Sequence, residues 1–278
     1  SRDMETASWL PDVFGSRLTG SPAIKSAGEW AAKKLTEWGM VNAKLEPWGY
    51  FGRGWTNDRL SVQVIAPTPF PVIAYAAAWT PGTNGAVTGE VIRVQADSEP
   101  DLQRYRGKLR NAFVIMTPAR QLNPRFTADA SRFTQAGLDS MAAAAPQAPR
   151  GGGPGGGRAG GGGRGGFAAA QTFAQVRTQF FATEGVAAIL TAGGGNSTMG
   201  TVFTGAQGSR DPKNPTLTST LILAPEHFNR IARLIDVSKK EVELEIDVRA
   251  QFHDEEEMAF NTIAEIPGTD KRGEVVML

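Results

Sequence analysis

The chain has 278 residues, 41% of them hydrophobic, enough for one large or two modest domains with a buried core. Its 29 basic and 28 acidic residues leave a formal net charge of +1, which excludes a global field steering it to nucleic acid or anionic lipid. With no cysteine there is no disulfide framework, thiolate nucleophile or Cys-ligated metal, and the longest apolar run, Val72 to Trp79, falls far short of the roughly 20 residues that span a bilayer.

The chain opens at Ser1 with neither Met nor a signal-like apolar region, so a leader removed or left out is expected. Within the segment from Asp12 to Met40 the pattern predicts a helix. Ser21 is its N-cap, Pro22 sits where its missing N–H costs nothing, and Ile24, Ala27, Ala31, Leu35 and Trp38 mark one face. Gly39 supplies the stop. The polar loop from Phe14 to Ser21 before it is an entry loop to the helix or a substrate-lining loop.

Strands are expected over Lys44 to Trp48 and over Arg59 to Ile65, where Leu60, Val62 and Val64 alternate with Ser61 and Gln63. Between them Trp48, Tyr50, Phe51 and Trp55 interleave with Arg53. That mixture fits a base-stacking or carbohydrate platform, but aromatic rings dominate core burial, and the expectation is that they cover the sheet. Pro67, Pro69 and Pro71 disfavour regular pairing and mark a crossing between two units. Beyond them short strands are expected over Val72 to Tyr75, Ala86 to Val94, Ala112 to Met116, Ala187 to Thr191, Thr218 to Leu223 and Val242 to Val248. Helices are expected over Thr172 to Glu184, ending before Gly185, and over Pro225 to Ile235.

Residues 142–166 are of low complexity, with Gly at twelve of the sixteen positions from Gly151 to Gly166, so burial cannot offset their ordering entropy and a disordered loop is expected. Arg150, Arg158 and Arg164 within this stretch are too few in a near-neutral protein for RNA binding to be the expected role. At the other end, Ile263 and Ile266, the turn Pro267-Gly268-Thr269-Asp270 and the run Val275-Val276-Met277-Leu278 read as strand, turn, strand. The last strand is continuously apolar, as in a sheet covered on both faces, and ligands bind beyond the carboxyl ends of such strands. The sequence therefore reads as cut short where chemistry would follow.

Candidates for chemistry inside the chain are few. There are two histidines: His227, near the start of a predicted helix, and His253, at the head of the acidic run Asp254 to Glu257. Imidazole with carboxylates suits zinc, but adjacent residues seldom converge on one ion and no His-Glu-x-x-His spacing occurs, so the run is expected to be a solvated turn. No Gly-x-Ser-x-Gly elbow is present. Thr191-Ala192-Gly193-Gly194-Gly195-Asn196-Ser197 follows an apolar strand but lacks the lysine and spacing of a phosphate loop, and a plain turn is expected.

The order of the pieces carries a resemblance. Phe14 to Pro22 followed by Ala31 to Gly39, together with Asn261 to Asp270 and Glu274 to Leu278, resembles the di-zinc exopeptidase family that includes aminopeptidase Y and glutamate carboxypeptidase. Tyr105 to Met116 and Glu184 to Leu190 resemble that family's inserted protease-associated domain. The resemblance implies an α/β fold: first peptidase elements in residues 1–71, a strand-rich protease-associated insert in 72–255, and return strands of a partial peptidase sheet in 256–278. It also implies a pair of zinc ions in the intact family, whose first ligand follows the strand matching Glu274 to Leu278. No catalytic, cofactor-binding or metal residue is therefore assigned within this chain, and no zinc is expected on it. Its parent is expected to hydrolyse peptide bonds at chain termini and to lie in the periplasm or outside the cell, with a peptide or protein substrate, no nucleic acid and no membrane partner. The alternative is a non-catalytic module holding a peptide or protein on the protease-associated surface.

Overall fold

A computed structural model describes residues 2–124, 126, 128, 130–144, 164–193, 205–255, 257–270, 273, 274 and 277, with side chains in helix 164–184 described from residue 173. The elements are α1 (Arg2–Ser8), a π-type turn (Trp9–Val13), α2 (Pro22–Glu37), β1 (Val41–Tyr50), β2 (Gly54–Ala66), β3 (Phe70–Pro71), β4 (Ala74–Ala76) and β5 (Val87–Arg93). There follow α3 (Glu99–Gln103), β6 (Phe113–Ile115), α4 (Gln135–Ala143), α5 (Arg164–Glu184), β7 (Ala188–Ala192), β8 (Ser219–Leu223), α6 (Pro225–Asp236), β9 (Glu243–His253) and β10 (Met258–Glu265). Among the described residues, no helix is long and apolar enough to cross a membrane.

Two bodies result. In the first, β1 and β10 pair antiparallel as a two-stranded ribbon, and α2 lies across it. Ser21 caps α2 as expected, its Oγ accepting from the Ile24 N–H at 3.4 Å, and the chain leaves the helix through Gly39 at φ +92°. Gly28 explains how closely the helix approaches. A Cβ there would lie 2.8 Å from Leu45 Cδ2 and 3.2 Å from the Phe260 ring, so the roughly 1 kcal/mol helical penalty of glycine is accepted in exchange for contact.

The second body is an eight-stranded mixed sheet in the order β3-β2-β9-β5-β6-β7-β8-β4. β9 pairs antiparallel with β2 along its length, from Gly54↔His253 to Ala66↔Glu243, and with β5 on its other edge. β5, β6, β7 and β8 run parallel, and β4 closes the order antiparallel to β8. Its two edge strands, β3 and β4, are consecutive in the chain with Val72 and Ile73 between them, so the sheet rolls until its edges meet. The seam is stitched by Val72 N–H donating to Val62 O at 3.0 Å and Ala224 N–H donating to Ile73 O at 2.8 Å.

Inside the roll, Val62, Val64, Val91, Phe113, Ile115, Leu190, Leu221, Leu223, Leu244 and Ile246 meet Phe228 and Ile231 of α6. Outside it, Val114 of β6 packs with Leu102, Leu109, Phe181 and Val186 beneath α3 and α5. β6 is thus apolar on both faces and buried at each of its three positions, as parallel strands inside α/β sheets are.

Most of the predicted strands and helix α6 are present within a few residues of the expected bounds, whereas α5 begins eight residues before the expected Thr172, β9 runs five residues past the expected Val248, and of the strand expected over Val72 to Tyr75 only 74–75 lie in a strand, β4. The proline-rich stretch behaves differently from expectation: Phe70–Pro71 pairs with β2 through Gln63↔Pro71 and Val64↔Phe70, so it forms an edge strand of the roll. Pro tolerates an edge position because no ladder donor is needed there. α1, α3 and α4 lie where the sequence pattern predicts no helix, because they are short and carry few apolar repeats. Of the low-complexity stretch 142–166, residues 142 and 143 close α4 and 164–166 open α5, contrary to disorder at both margins, because helices on each side extend into it. Residues 145–163 lie outside the described residues, as do Val275, Val276 and Leu278 of the expected last strand.

Candidate functional site at the junction of the two bodies

Two chain connections join the ribbon to the roll: Phe51-Gly52-Arg53 between β1 and β2, and residues 254–257 between β9 and β10. They are tied to each other. Phe51 and Gly52 both donate backbone N–H to Glu257 O, at 2.7 and 3.3 Å. Arg53 donates through Nε and Nη2 to the two carboxylate oxygens of Asp254, each at 2.8 Å, and its guanidinium lies 4.1 Å over the Phe252 ring. The acidic run expected to be a solvated turn therefore holds one ordered partner, because bidentate geometry with a half-exposed carboxylate outcompetes free hydration. A double-mutant cycle on Arg53→Ala and Asp254→Ala, read from urea unfolding, is expected to give a coupling of about 1 kcal/mol; a coupling of zero would mean that the pair does not hold the junction.

A third segment, the loop from Gly205 to Leu217, docks on this junction. Ala78 N–H donates to Gly205 O at 3.2 Å, Gly208 N–H to Ala78 O at 3.0 Å, and Arg53 N–H to Arg210 O at 3.2 Å. Gly52 meets this loop at φ +106°, where a Cβ would come within 2.9 Å of Arg210 O, so glycine is needed both for conformation and for space. The Trp79 Nε1–H donates to Arg53 O at 2.9 Å, and the Arg210 guanidinium stacks 4.2 Å from the Phe51 ring and 5.8 Å from that of Trp79. Downstream, the Asp211 carboxylate accepts from Lys213 N–H at 2.9 Å and Asn214 Nδ2 at 2.8 Å. The Lys213 amide, then the Asn214 side chain, hold the Asp211 carboxyl below the usual carboxylate range.

The junction encloses an open cavity of about 830 Å³ whose walls include Tyr50, Phe51, Arg210, Lys213 and Glu257. A smaller cavity of about 350 Å³ lies between the start of α2 at Ser21 and Lys25 and the residues His253, Met258 and Phe260. A third, of about 240 Å³, sits beyond the carboxyl ends of β6 and β7. There Arg120 donates to Ala192 O and Gly193 O, and Asn229 holds the Arg120 backbone from both sides at 2.7 Å.

The aromatic stretch divides. Trp55 is buried at 7% exposure and donates Nε1–H to Thr80 O, but Trp48 and Tyr50 are each 63% exposed, so they do not cover the sheet as expected. The ribbon is only two strands wide, and its outer positions have nothing to pack on. His227, on α6, accepts the Ile73 N–H at Nδ1 (2.9 Å) and so helps hold the seam. His253 ends β9, with Nε2 3.0 Å from Thr56 Oγ1. The two histidines thus sit on different elements with different partners. Among the described residues, no group of three or more His, Cys, Asp or Glu side chains is arranged to hold a metal ion. The described residues do not fit a zinc centre by themselves. Of the turn after β7, Gly193 donates to Leu223 O at 2.8 Å, and 194–197 lie outside the described residues. Arg210 and Lys213 carried no sequence signal, because they sit in a polar loop with no motif.

The architecture is mixed α/β, a ribbon carrying a helix and continuous with a large mixed sheet. Among solved structures it is similar to a peptidase M28 precursor from Shewanella amazonensis SB2B, with a TM-score of 0.52 and 18% identity over 95% of this chain and 50% of that one. An aminopeptidase from Aneurinibacillus sp. strain AM-1 (TM-score 0.43, 13% identity, 96% of this chain and 48% of that one) is also similar. So is a zinc aminopeptidase from Bacillus subtilis (0.44, 11%, 96% and 47%), but at these scores neither adds to the fold assignment. The chain spans about half the length of the structures it matches. No family model and no curated protein matches the sequence. The likeness to the peptidase M28 precursor is one of fold.

Proposed function

We propose that this chain is the N-terminal portion of a zinc-dependent exopeptidase that hydrolyses peptide bonds at chain termini, with the metal ligands contributed by residues outside it. The observation that carries the reading is the fold likeness to half of a peptidase M28 precursor across 95% of this chain. In this reading the ribbon with α2 is the first part of a peptidase sheet, and the rolled sheet is a protease-associated insert carried between its strands. The chain's own contribution is a scaffold and a wall of the substrate approach at the junction. A peptide or protein substrate and export from the cytoplasm belong to the same reading.

The test is hydrolysis of leucine p-nitroanilide and of short peptides by the polypeptide extended beyond Leu278. The extended protein is expected to cleave them, to lose activity with 1,10-phenanthroline and to regain it with zinc, while residues 1–278 alone cleave nothing. Chelator-sensitive hydrolysis by residues 1–278 would overturn the placement of the ligands, and an extended protein inert on all exopeptidase substrates would overturn the activity. A second reading, a non-catalytic peptide-binding module, is favoured by one observation: the junction cavity is lined by this chain's own residues. It predicts binding of peptides without turnover in either form.

A further inference from the structure

We propose that Arg59 and Arg249, held side by side by Asp247 on the outer face of the roll, form a binding site for a phosphate group. The site is built from β2 and β9 alone and does not rest on the peptidase reading.

These two strands put like charges face to face. Val62 and Val64 of β2 and Leu244, Ile246 and Val248 of β9 point into the roll, so the alternate residues Arg59, Ser61, Asp247 and Arg249 lie on its outer face. Arg59 is in register with Arg249, and Ser61 with Asp247. The register shift between Asn57 and Arg59 adds Asp58 to β2 as an extra residue, and such bulges re-aim the side chains beside them. Like charges directly opposite in a sheet are destabilising. Here a third side chain gathers them: Arg59 Nε lies 3.1 Å and Arg249 Nε 3.5 Å from the same carboxylate oxygen, Asp247 Oδ2.

Asp247 holds the pair without using it up. The residue is 7% exposed, and its other oxygen, Oδ1, is buried with no hydrogen-bond partner among the described residues. A buried carboxylate oxygen left unbonded costs free energy, and it cannot serve either arginine as a second acceptor. Both arginines therefore approach through Nε only, and among the described residues neither has another hydrogen-bond or ion-pair partner. Their terminal amino groups, on side chains 56% and 61% exposed, keep their donors available at the surface. Ser61 adds an exposed hydroxyl on the same face.

The number of donors selects the ligand. A planar carboxylate has two oxygens and is satisfied by one guanidinium fork, whereas a phosphate monoester brings three terminal oxygens and a charge of about −1.5 to −2, enough to bridge two forks. Carboxylates flank the pair: Asp58, which accepts from Gln251 Nε2 at 2.6 Å, and Glu245, two residues along β9 from Asp247. They keep anions in general from accumulating here, so the paired forks rather than net charge make the selection. Because the arginines are already gathered, binding does not have to order them from scratch.

Nuclear magnetic resonance of the Arg Nε–H groups in ¹⁵N-labelled residues 1–278 tests this, by titration with phenyl phosphate, inorganic phosphate and phenylacetate at constant ionic strength. The Arg59 and Arg249 signals are expected to shift together and saturably with both phosphates, at a dissociation constant at least about tenfold lower than for phenylacetate. Arg59→Gln and Arg249→Gln, read on the remaining arginine, are each expected to weaken phenyl phosphate binding about tenfold, and Arg59→Lys and Arg249→Lys to recover only part of it, since charge returns without the fork. Each variant leaves one arginine on Asp247, so the wild-type unfolding midpoint is kept. Arg177→Gln is the control: Arg177 sits on α5 against Phe173 and leaves phosphate binding unchanged. Tighter binding of phenyl phosphate than of inorganic phosphate assigns the site to a phosphorylated molecule, and equal binding assigns it to the free ion. Phenylacetate binding as tightly as the phosphates, unchanged phosphate binding in the glutamine variants, full recovery by lysine, or no saturable shift would each overturn the proposal.

Discussion

Phe113→Ala is expected to lower the unfolding free energy by about 3–5 kcal/mol. Phe113 is fully buried in β6, between Val91 of β5 and Ala188 of β7 in register. Its ring lies in the cluster that also holds Ile115, Leu190, Phe228 and Leu244. The loss has two parts, the transfer free energy of the missing ring atoms and the cavity left behind. Strands on both sides are locked by their ladders and cannot collapse to fill it. Urea unfolding followed by tryptophan fluorescence measures it, with an unchanged slope showing that the denatured state is not altered. A loss below about 1 kcal/mol would mean that the interior of the roll is not close-packed around this ring.

Gly208→Ala is expected to cost about 1–3 kcal/mol and to detach the loop from 205 to 217. A Cβ at Gly208 would lie 1.7 Å from Trp79 O and 2.7 Å from Thr80 N, and both obstacles are backbone. No rotamer change relieves such an overlap, so the loop must lift. Lifting it breaks the bonds from Gly208 to Ala78 and from Arg53 to Arg210 and unstacks Arg210 from Phe51. Limited trypsin digestion reads the outcome directly, because Arg210 and Lys213 become cleavable in the variant well below its unfolding midpoint. If trypsin cuts wild type and variant at equal rates, the loop is not held by this crossing.

Both effects turn on features of different legibility. The strand at Phe113 was readable in advance: Ala112 to Met116 is continuously apolar, and a short buried parallel strand needs little else. Helix α2 was equally readable, since Ser21, Pro22 and Gly39 are local signals acting within one turn of the residues they cap or stop. The crossing at Gly208 was not readable. Nothing in Gly205 to Leu217 says that Trp79 O lies 1.7 Å from where a Cβ would be, because that approach joins residues more than a hundred positions apart.

The proline-rich stretch shows the same division. Three prolines correctly marked a break in strand pattern, but whether the chain there crosses between units or forms an edge depends on which strand lies beside it. The sequence supplies Arg53 among aromatic residues and Arg210 in a polar loop, and only the fold shows that Asp254 meets the first and that the second lies against Phe51 in a cavity wall.

The sequence by itself thus determined the alternation of short strands and helices, the caps of α2, the apolar identity of the core and a resemblance to a peptidase family. These rest on periodicity and turn chemistry, which operate over a few residues. Tertiary structure alone decided that β3 and β4 close the sheet into a roll, that β2 belongs to it, and that three distant segments meet at the junction. Those outcomes depend on strand pairing and close packing between residues far apart in the chain, which no local pattern encodes.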